Sequence, residues 1–227
     1  MTRSSEAVVR RIVDLSHLVD ETVQVYPGDP VPAMTPAATI ERDGYNVLNL
    51  VIGSQTGTHV DAPYHFLEGG PRIDDLDLSL FIGRATIVDV TGRPPRTPVT
   101  WQDLAPYEHR LGPGHVLILH TGWSQWFRTP AYYDHPYLDG AAAQRLVALG
   151  VRTVGIDALN IDETVLHGQH PTGFAAHHAI LGAGGVIAEN LTNLAAVDFT
   201  NALVIMLPVR LARADGAPVR AVAVELA

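Results

Sequence analysis

His59, Asp61 and His65 stand within seven positions of one another in the stretch SQTGTHVDAPYHF, residues 54–66. These are residue types that hold a divalent metal: neutral imidazole suits Zn, Mn, Fe or Co, and a carboxylate compensates the charge. Four residues before His59, where a third histidine would complete the set, the chain has Gln55. A glutamine carbonyl is a weaker, neutral donor, so a metal held with it sits in a harder, more oxygen-rich shell. A His-x-Asp pair in a loop is more often a hydrogen-bonded pair than a metal site. Adding His65 brings the two readings level, because three metal-competent groups then share one loop.

A second cluster lies downstream in HHAILGAGGVIAEN. His177 or His178 falls on a short helix, and Glu189 falls in or just after a strand. A carboxylate in a run that otherwise reads as buried is costly unless it is paired, protonated or coordinating; otherwise it is a strand-end residue reaching solvent. In GIDALNID, Asp157 and Asp162 read as a strand-end turn and a helix cap.

The elements that must position these groups are mostly strands. RIVDLSHLV, NVLNLVIGS, ATIVDV, HVLILHTGW, TVGID, VIAENL, ALVIMLPVRL and VRAVAVELA are rich in Val, Ile and Leu and bounded by Gly, Pro or Asp. VLIL suggests a strand covered on both faces, NVLNLVI one that is half-covered. The quoted motif follows NVLNLVIGS, so its ligands are expected just past a strand end, brought together by turns at Gly57 and Pro63. DGAAAQRLVALG reads as a helix with Asp139 as N-cap and Gly150 at its end, and GFAAHHAILGAGG as a shorter one. Strands outnumber helices, which predicts a mixed, sheet-rich α/β fold over residues 1–227 as one domain.

The 227 residues, 47% of them hydrophobic, suffice for one full-sized core. A formal net charge of −9 argues against a nucleic-acid partner. No cysteine is present, which excludes disulfides, thiolate catalysis and cysteine-ligated clusters. Arg10 and Arg11 interrupt any apolar leader, and ALVIMLPV is too short to span a bilayer, so the expectation is a cytoplasmic protein with no membrane partner. No G-x-S-x-G elbow, H-E-x-x-H pair or strand-born glycine fingerprint supports a serine hydrolase, a zinc protease or a nucleotide oxidoreductase.

GTHVDAPYHF closely resembles the signature of the metal-dependent cyclase-like hydrolases, which include bacterial kynurenine formamidases, isatin hydrolases and trans-dienelactone hydrolases. DLSHLVDETVQVYPGDP, LHTGWS, LVALGVRTVGIDALNID and HHAILGAGGVIAENLTNL follow in family order, so the resemblance spans nearly the whole chain. It implies a swivelling β/β/α fold and a homodimer or larger homo-oligomer. It implies Gln55, His59 and Asp61 at a first Zn or Mn ion, His177 and Glu189 at a second, and His65 as acid/base. Such a site suits hydrolysis of a formamide, amide, lactam or lactone of a small aromatic or cyclic substrate. Tyr26, Pro27, Tyr64 and Phe66 are candidates for its apolar wall. Glutamine at position 55 is similar to the trans-dienelactone type, whereas formamidases usually carry histidine there; the alternatives are therefore a lactone hydrolase or a binding protein that kept the fold without the metal.

Overall fold

The computed structural model describes residues 8–166 and 173–227. The first seven residues of the segment read as lacking a leader lie outside these. Thirteen strands occur among the described residues. They are β1 (Val9–Asp14), β2 (Ala33–Ala38), β3 (Val47–Val51), β4 (His59–Asp61), β5 (Ile82–Asp89), β6 (Pro98–Val99) and β7 (His115–His120). The others are β8 (Tyr137–Leu138), β9 (Thr153–Ile156), β10 (Val186–Glu189), β11 (Leu203–Ile205), β12 (Gly216–Pro218) and β13 (Val222–Leu226).

Nine of them form one sheet in the order β1-β13-β11-β5-β7-β9-β10-β4-β12. Its centre, β5 to β10, is parallel, and antiparallel strands flank it on both sides. Parallel strands need cover on both faces, and the sheet has it. Leu117, Leu119, Val154 and Ile156 pack on one side with Leu146 and Ile180 of the helices Gly140–Ala148 and Ala175–Gly182. Val116, Ile118, Val186 and Ala188 pack on the other with Phe81, Met206 and Leu15. The expected mixed, sheet-rich α/β architecture is the one observed, and VLIL is buried throughout.

Asp139 caps the Gly140–Ala148 helix by accepting from Ala142 N–H, and Gly150 takes φ +90° just beyond its end. Two expectations need correction. β3 is exposed at all five positions instead of half-covered, because it pairs with β2 in a ribbon standing outside the main sheet. The metal-ligand motif is not purely a loop: His59–Asp61 is itself a strand, hydrogen-bonded between β10 and β12.

Candidate active site

Strand geometry, not a loop, aligns the first two groups. Residues two apart on a strand share a face, so His59 and Asp61 point to one side while Val60 enters the core at 0% exposure. The antiparallel register places Glu189 of β10 directly opposite His59. Gly57 turns the approach to β4 with φ +67°, and a Cβ there would lie 2.8 Å from Val19. Its carbonyl accepts from His59 Nδ1 at 2.8 Å. A carbonyl only accepts, so Nδ1 carries a proton and Nε2 is the nitrogen turned to the site.

His177 is treated in the same way from the other side. Asp162 accepts from the backbone N–H groups of Ala176 and His177, capping that helix, and from His177 Nδ1 at 2.7 Å. The cap expected from the sequence thus also turns the ring so that Nε2 faces the carboxylates. Phe66 stacks on His177 with centroids 4.4 Å apart. His178, its neighbour, meets Phe66 edge-on. Glu189 Oε1 accepts from Ile161 N–H at 2.7 Å, and Asp157 accepts from Thr121 and Gly122 at a strand end, well described as a turn residue.

The four inward groups form a reciprocal set. His59 Nε2 lies 3.4 Å from Asp61 Oδ1 and 3.6 Å from Glu189 Oε2. His177 Nε2 lies 3.5 Å from Asp61 Oδ2 and 3.5 Å from Glu189 Oε1. Each carboxylate therefore shows one oxygen to each imidazole. Both oxygens of Asp61 are buried without a hydrogen-bond partner among the described residues, a costly state for a carboxylate unless a cation serves it. Ligand atoms about 2.1 Å from one tetrahedral ion stand about 3.4 Å apart, which is the spacing found. The donor atoms of His59, Asp61 and Glu189 all lie within 4.8 Å of one another. The residues fit a divalent ion.

Electrostatics agree. Burial alone would lower the pKa of His59, but the close carboxylates of Asp61 and Glu189 outweigh it and raise it to about 10. For His177, burial is likewise outweighed, here by Asp162, Asp61 and Glu189, giving about 10. Burial opposes ionisation of Asp61, yet His177 and His59 hold it well below the usual carboxylate range. The cluster demands positive charge.

Beside it lies a second network, centred on Asp215, a residue 150 positions from His65. His65 Nδ1 donates to Asp215 Oδ2 at 2.9 Å, Gln55 Nε2 to the same oxygen at 2.8 Å, and Ser54 Oγ to Oδ1 at 2.7 Å. Gln55 Nε2 and His65 Nδ1 are 3.3 Å apart; both are donors, so we read them as neighbours sharing an acceptor. The His65 hydrogen bond holds Asp215 well below the normal carboxylate range. Burial pulls the pKa of His65 down, but Asp215 and Asp61 raise it overall. Sequence reasoning missed Asp215. An Asp–Gly step ahead of a short strand reads as a turn, and nothing local ties it to the motif.

A cavity of about 230 Å³ opens onto both networks. Gln55, His59, His65, His177 and Glu189 line it, with Tyr26, Phe66 and Phe174 as aromatic walls and Asp29, Asn160 and Asn190 as further polar lining. Pro27 and Tyr64, expected in the wall, are not in its described lining. In the Tyr26–Asp29 turn the two ends face the cavity and Pro27 does not. In the 3₁₀ turn Pro63–His65, directing His65 inward sends Tyr64 away, and it packs against Arg72 at 4.3 Å.

Comparison with known proteins agrees with this geometry. The model of the Cyclase family, described as "Putative cyclase", matches residues 13–163. The kynurenine formamidase of Geobacillus thermodenitrificans is 34% identical over 212 residues, covering 92% of this chain and 95% of that protein. The chain belongs to the cyclase family. The kynurenine formamidase of Delftia acidovorans is 32% identical, over 97% of this chain and 100% of its own. Among solved structures, isatin hydrolase A from Labrenzia aggregata, bound to benzyl benzoate, superposes with a TM-score of 0.84 at 24% identity, over 94% and 93% of the two chains. A potential metal-dependent hydrolase with cyclase activity superposes at 0.76 and 25% identity, over 94% and 97%. The isatin hydrolase likeness attests the fold; the kynurenine formamidase relatives, matched over nearly the whole chain, support a hydrolase, and the His59, Asp61 and Glu189 group could hold a metal. No helix of the described residues is long and apolar enough to cross a membrane.

Proposed function

We propose that this cyclase-family enzyme hydrolyses the C–N bond of a small aromatic or cyclic formamide, amide or lactam, using a divalent ion, Zn or Mn, in the buried cluster. Gln55, His59 and Asp61 would hold one ion, and His177 and Glu189, with Asp61 shared, a second. The observation that carries this reading is Asp61: two buried oxygens without a hydrogen-bond donor among the described residues, each 3.4–3.5 Å from the Nε2 of a different histidine. When bound, such an ion polarises a carbonyl and lowers the pKa of a coordinated water to about 7.

The chain's own residues do the rest. His65 has Nδ1 engaged by Asp215, so Nε2 is the atom that takes a proton from the attacking water and returns it to the leaving nitrogen. Tyr26, Phe66 and Phe174 provide flat apolar walls for a ring. A cavity of about 230 Å³ suits a single small substrate. The relatives named for kynurenine formamidase activity favour a formamide of an aromatic amine as the first substrate to try. Gln55 favours one second reading, a lactone as substrate, since the trans-dienelactone type is similar at that position.

The exposed ribbon supports a homo-oligomer. Val47, Leu48, Leu50 and Val51 are 47–55% exposed on a two-stranded element that has no core of its own; light scattering showing only monomers at micromolar concentration would overturn that part. A cytoplasmic location is in keeping with a chain that has no cysteine to oxidise. The central test is metal content per chain by plasma mass spectrometry on protein purified without chelator. One or two equivalents of Zn or Mn, lost in Asp61→Ala, support the reading; no retained metal, and no binding of added Zn or Mn, rejects it.

A further inference from the structure

We infer that Asp215 is the residue that orients both the amide ligand Gln55 and the proton-transferring His65, so that one carboxylate sets metal affinity and turnover together. The inference rests on the reading of Gln55 as a ligand and His65 as acid/base.

An amide can present either end to a site, and the two ends are opposite in character. Only the oxygen can bind a cation. Asp215 decides the matter chemically: an ionised carboxylate solely accepts, so the Gln55 group facing Oδ2 at 2.8 Å must be the NH₂. The carbonyl oxygen then points the other way. Gln55 Oε1 is buried and has no hydrogen-bond partner among the described residues, although Gln55 lines the cavity together with His59 and Glu189. A buried acceptor that meets no donor, on a residue lining the same cavity as His59 and Glu189, is the kind of group that a cation satisfies.

The clamp has a second jaw. A Cβ at position 216 would lie 2.7 Å from Gln55 Nε2 and 3.1 Å from Oε1. The side-chain amide therefore lies flat on the backbone of Gly216, and its terminal rotation is limited from one side by that backbone and fixed by Asp215. Asp215 is itself anchored: its carbonyl accepts from Ala62 N–H at 2.8 Å, immediately after Asp61, and Gly216 pairs with Asp61 across the β12–β4 ladder. The positioning carboxylate is thus tied to the backbone of the principal ligand strand.

The same Oδ2 takes the Nδ1 proton of His65 at 2.9 Å. It fixes which nitrogen of that ring is free, as it fixes which end of the amide is free. Ser54 Oγ, donating to Oδ1 at 2.7 Å, stops the carboxylate from rotating away. Glutamine at position 55 consequently reproduces what an imidazole would offer there: a donor toward Asp215 and an acceptor toward the ion.

The test uses the full chain, stripped of metal and titrated calorimetrically with Zn²⁺, in Gln55→Ala, Asp215→Ala, Asp215→Asn and the Gln55→Ala/Asp215→Ala pair. Groups that orient metal ligands are worth 10–100-fold in affinity. Asp215→Ala is expected to weaken Zn²⁺ by about that factor. Asp215→Asn should stay within about 3-fold, because its oxygen can replace Oδ2 while Ser54 Oγ accepts from its NH₂. In the Gln55→Ala background Asp215→Ala should cost nothing further, since the two act as one unit. Turnover of formanilide at saturating Zn²⁺ supplies the second readout. Asp215→Ala should lower kcat about 10-fold or more with KM unchanged, and add nothing to His65→Ala. The Asn variant is checked by mass, because an Asn–Gly step deamidates to Asp.

If Gln55→Ala weakens Zn²⁺ and Asp215→Ala does not, the inference fails while the ligand reading stands. If Gln55→Ala leaves affinity untouched, the ligand reading fails and takes the metal half of the inference with it. An Asn variant as impaired as the Ala variant would mean that negative charge, not acceptor geometry, is what Asp215 supplies, and that too overturns it.

Discussion

His135 and the pair His59/His177 are buried to the same degree, at 1% and 3% exposure, yet their charge is driven in opposite directions. His135 sits at the end of the small β6–β8 ladder, where Thr164 Oγ1 donates to Nε2 at 2.7 Å and Nδ1 donates to Pro136 O. Burial dominates there, and its pKa falls to about 4. At the candidate site burial acts equally, but Asp61 and Glu189 at His59, and Asp162 together with them at His177, outweigh it and both rings rise to about 10. Burial alone makes a histidine neutral; convergent carboxylates make the same residue type, equally buried, hold a cation. What distinguishes the candidate metal site is therefore not its histidines but the carboxylate beside them, Asp61, whose oxygens meet no donor among the described residues.

The comparison is broken most directly at Asp61. Asp61→Ala should lose all retained metal and reduce hydrolysis to background, measured by metal analysis and formanilide turnover on one preparation; full metal occupancy would show that the histidines suffice without the carboxylate. His65→Ala should come next, lowering kcat about 10²–10⁴-fold with metal content unchanged. Near-normal turnover in that variant ends its acid/base assignment.

His135 sharpens the contrast from the other side. Its folded pKa of about 4 lies below the ordinary histidine value of 6.5. Between those values the unfolded chain binds a proton that the folded chain does not, so stability falls as pH is lowered from 6.5 towards 4. The loss amounts to about 3 kcal/mol once pH is below the folded pKa. Urea unfolding at pH 7.5 and pH 4.5 should show a smaller difference in His135→Gln than in the parent chain; equal differences would mean that His135 is already charged when folded. The smallest effect is expected at Tyr64. Tyr64→Ala should change kcat/KM by less than about 3-fold, because its ring packs on Arg72 outside the described cavity lining. A large rise in KM would return it to the substrate wall.

Several features were legible in the sequence because they are local. The apolar runs mark the buried parallel strands, and Asp139 and Gly150 bracket a helix. The His-x-Asp pair reads as part of a loop but is strand β4: alternate residues of a strand share a face, so no loop is needed to bring His59 and Asp61 together. NVLNLVI reads as half-covered yet Val47–Val51 is exposed, because hydrophobic patterning says that a face will be covered, not whether the same chain covers it. Asp162 was identified as a cap, and it is one; that its second oxygen also reaches His177 depends on how the helix leaves the sheet.

The sequence by itself determined the chemistry available: no thiol, no nucleotide loop, and two separate groups of metal-competent side chains on strand and helix ends. Only the tertiary structure decided how they are used. The β4–β10 register sets Glu189 opposite His59, the packing of the Ala175–Gly182 helix brings His177 to the far oxygens, and the return of the chain at β12 delivers Asp215 to Gln55 and His65. Local preferences act over a few residues, whereas ligands separated by more than a hundred positions meet only through long-range strand pairing and packing of the core.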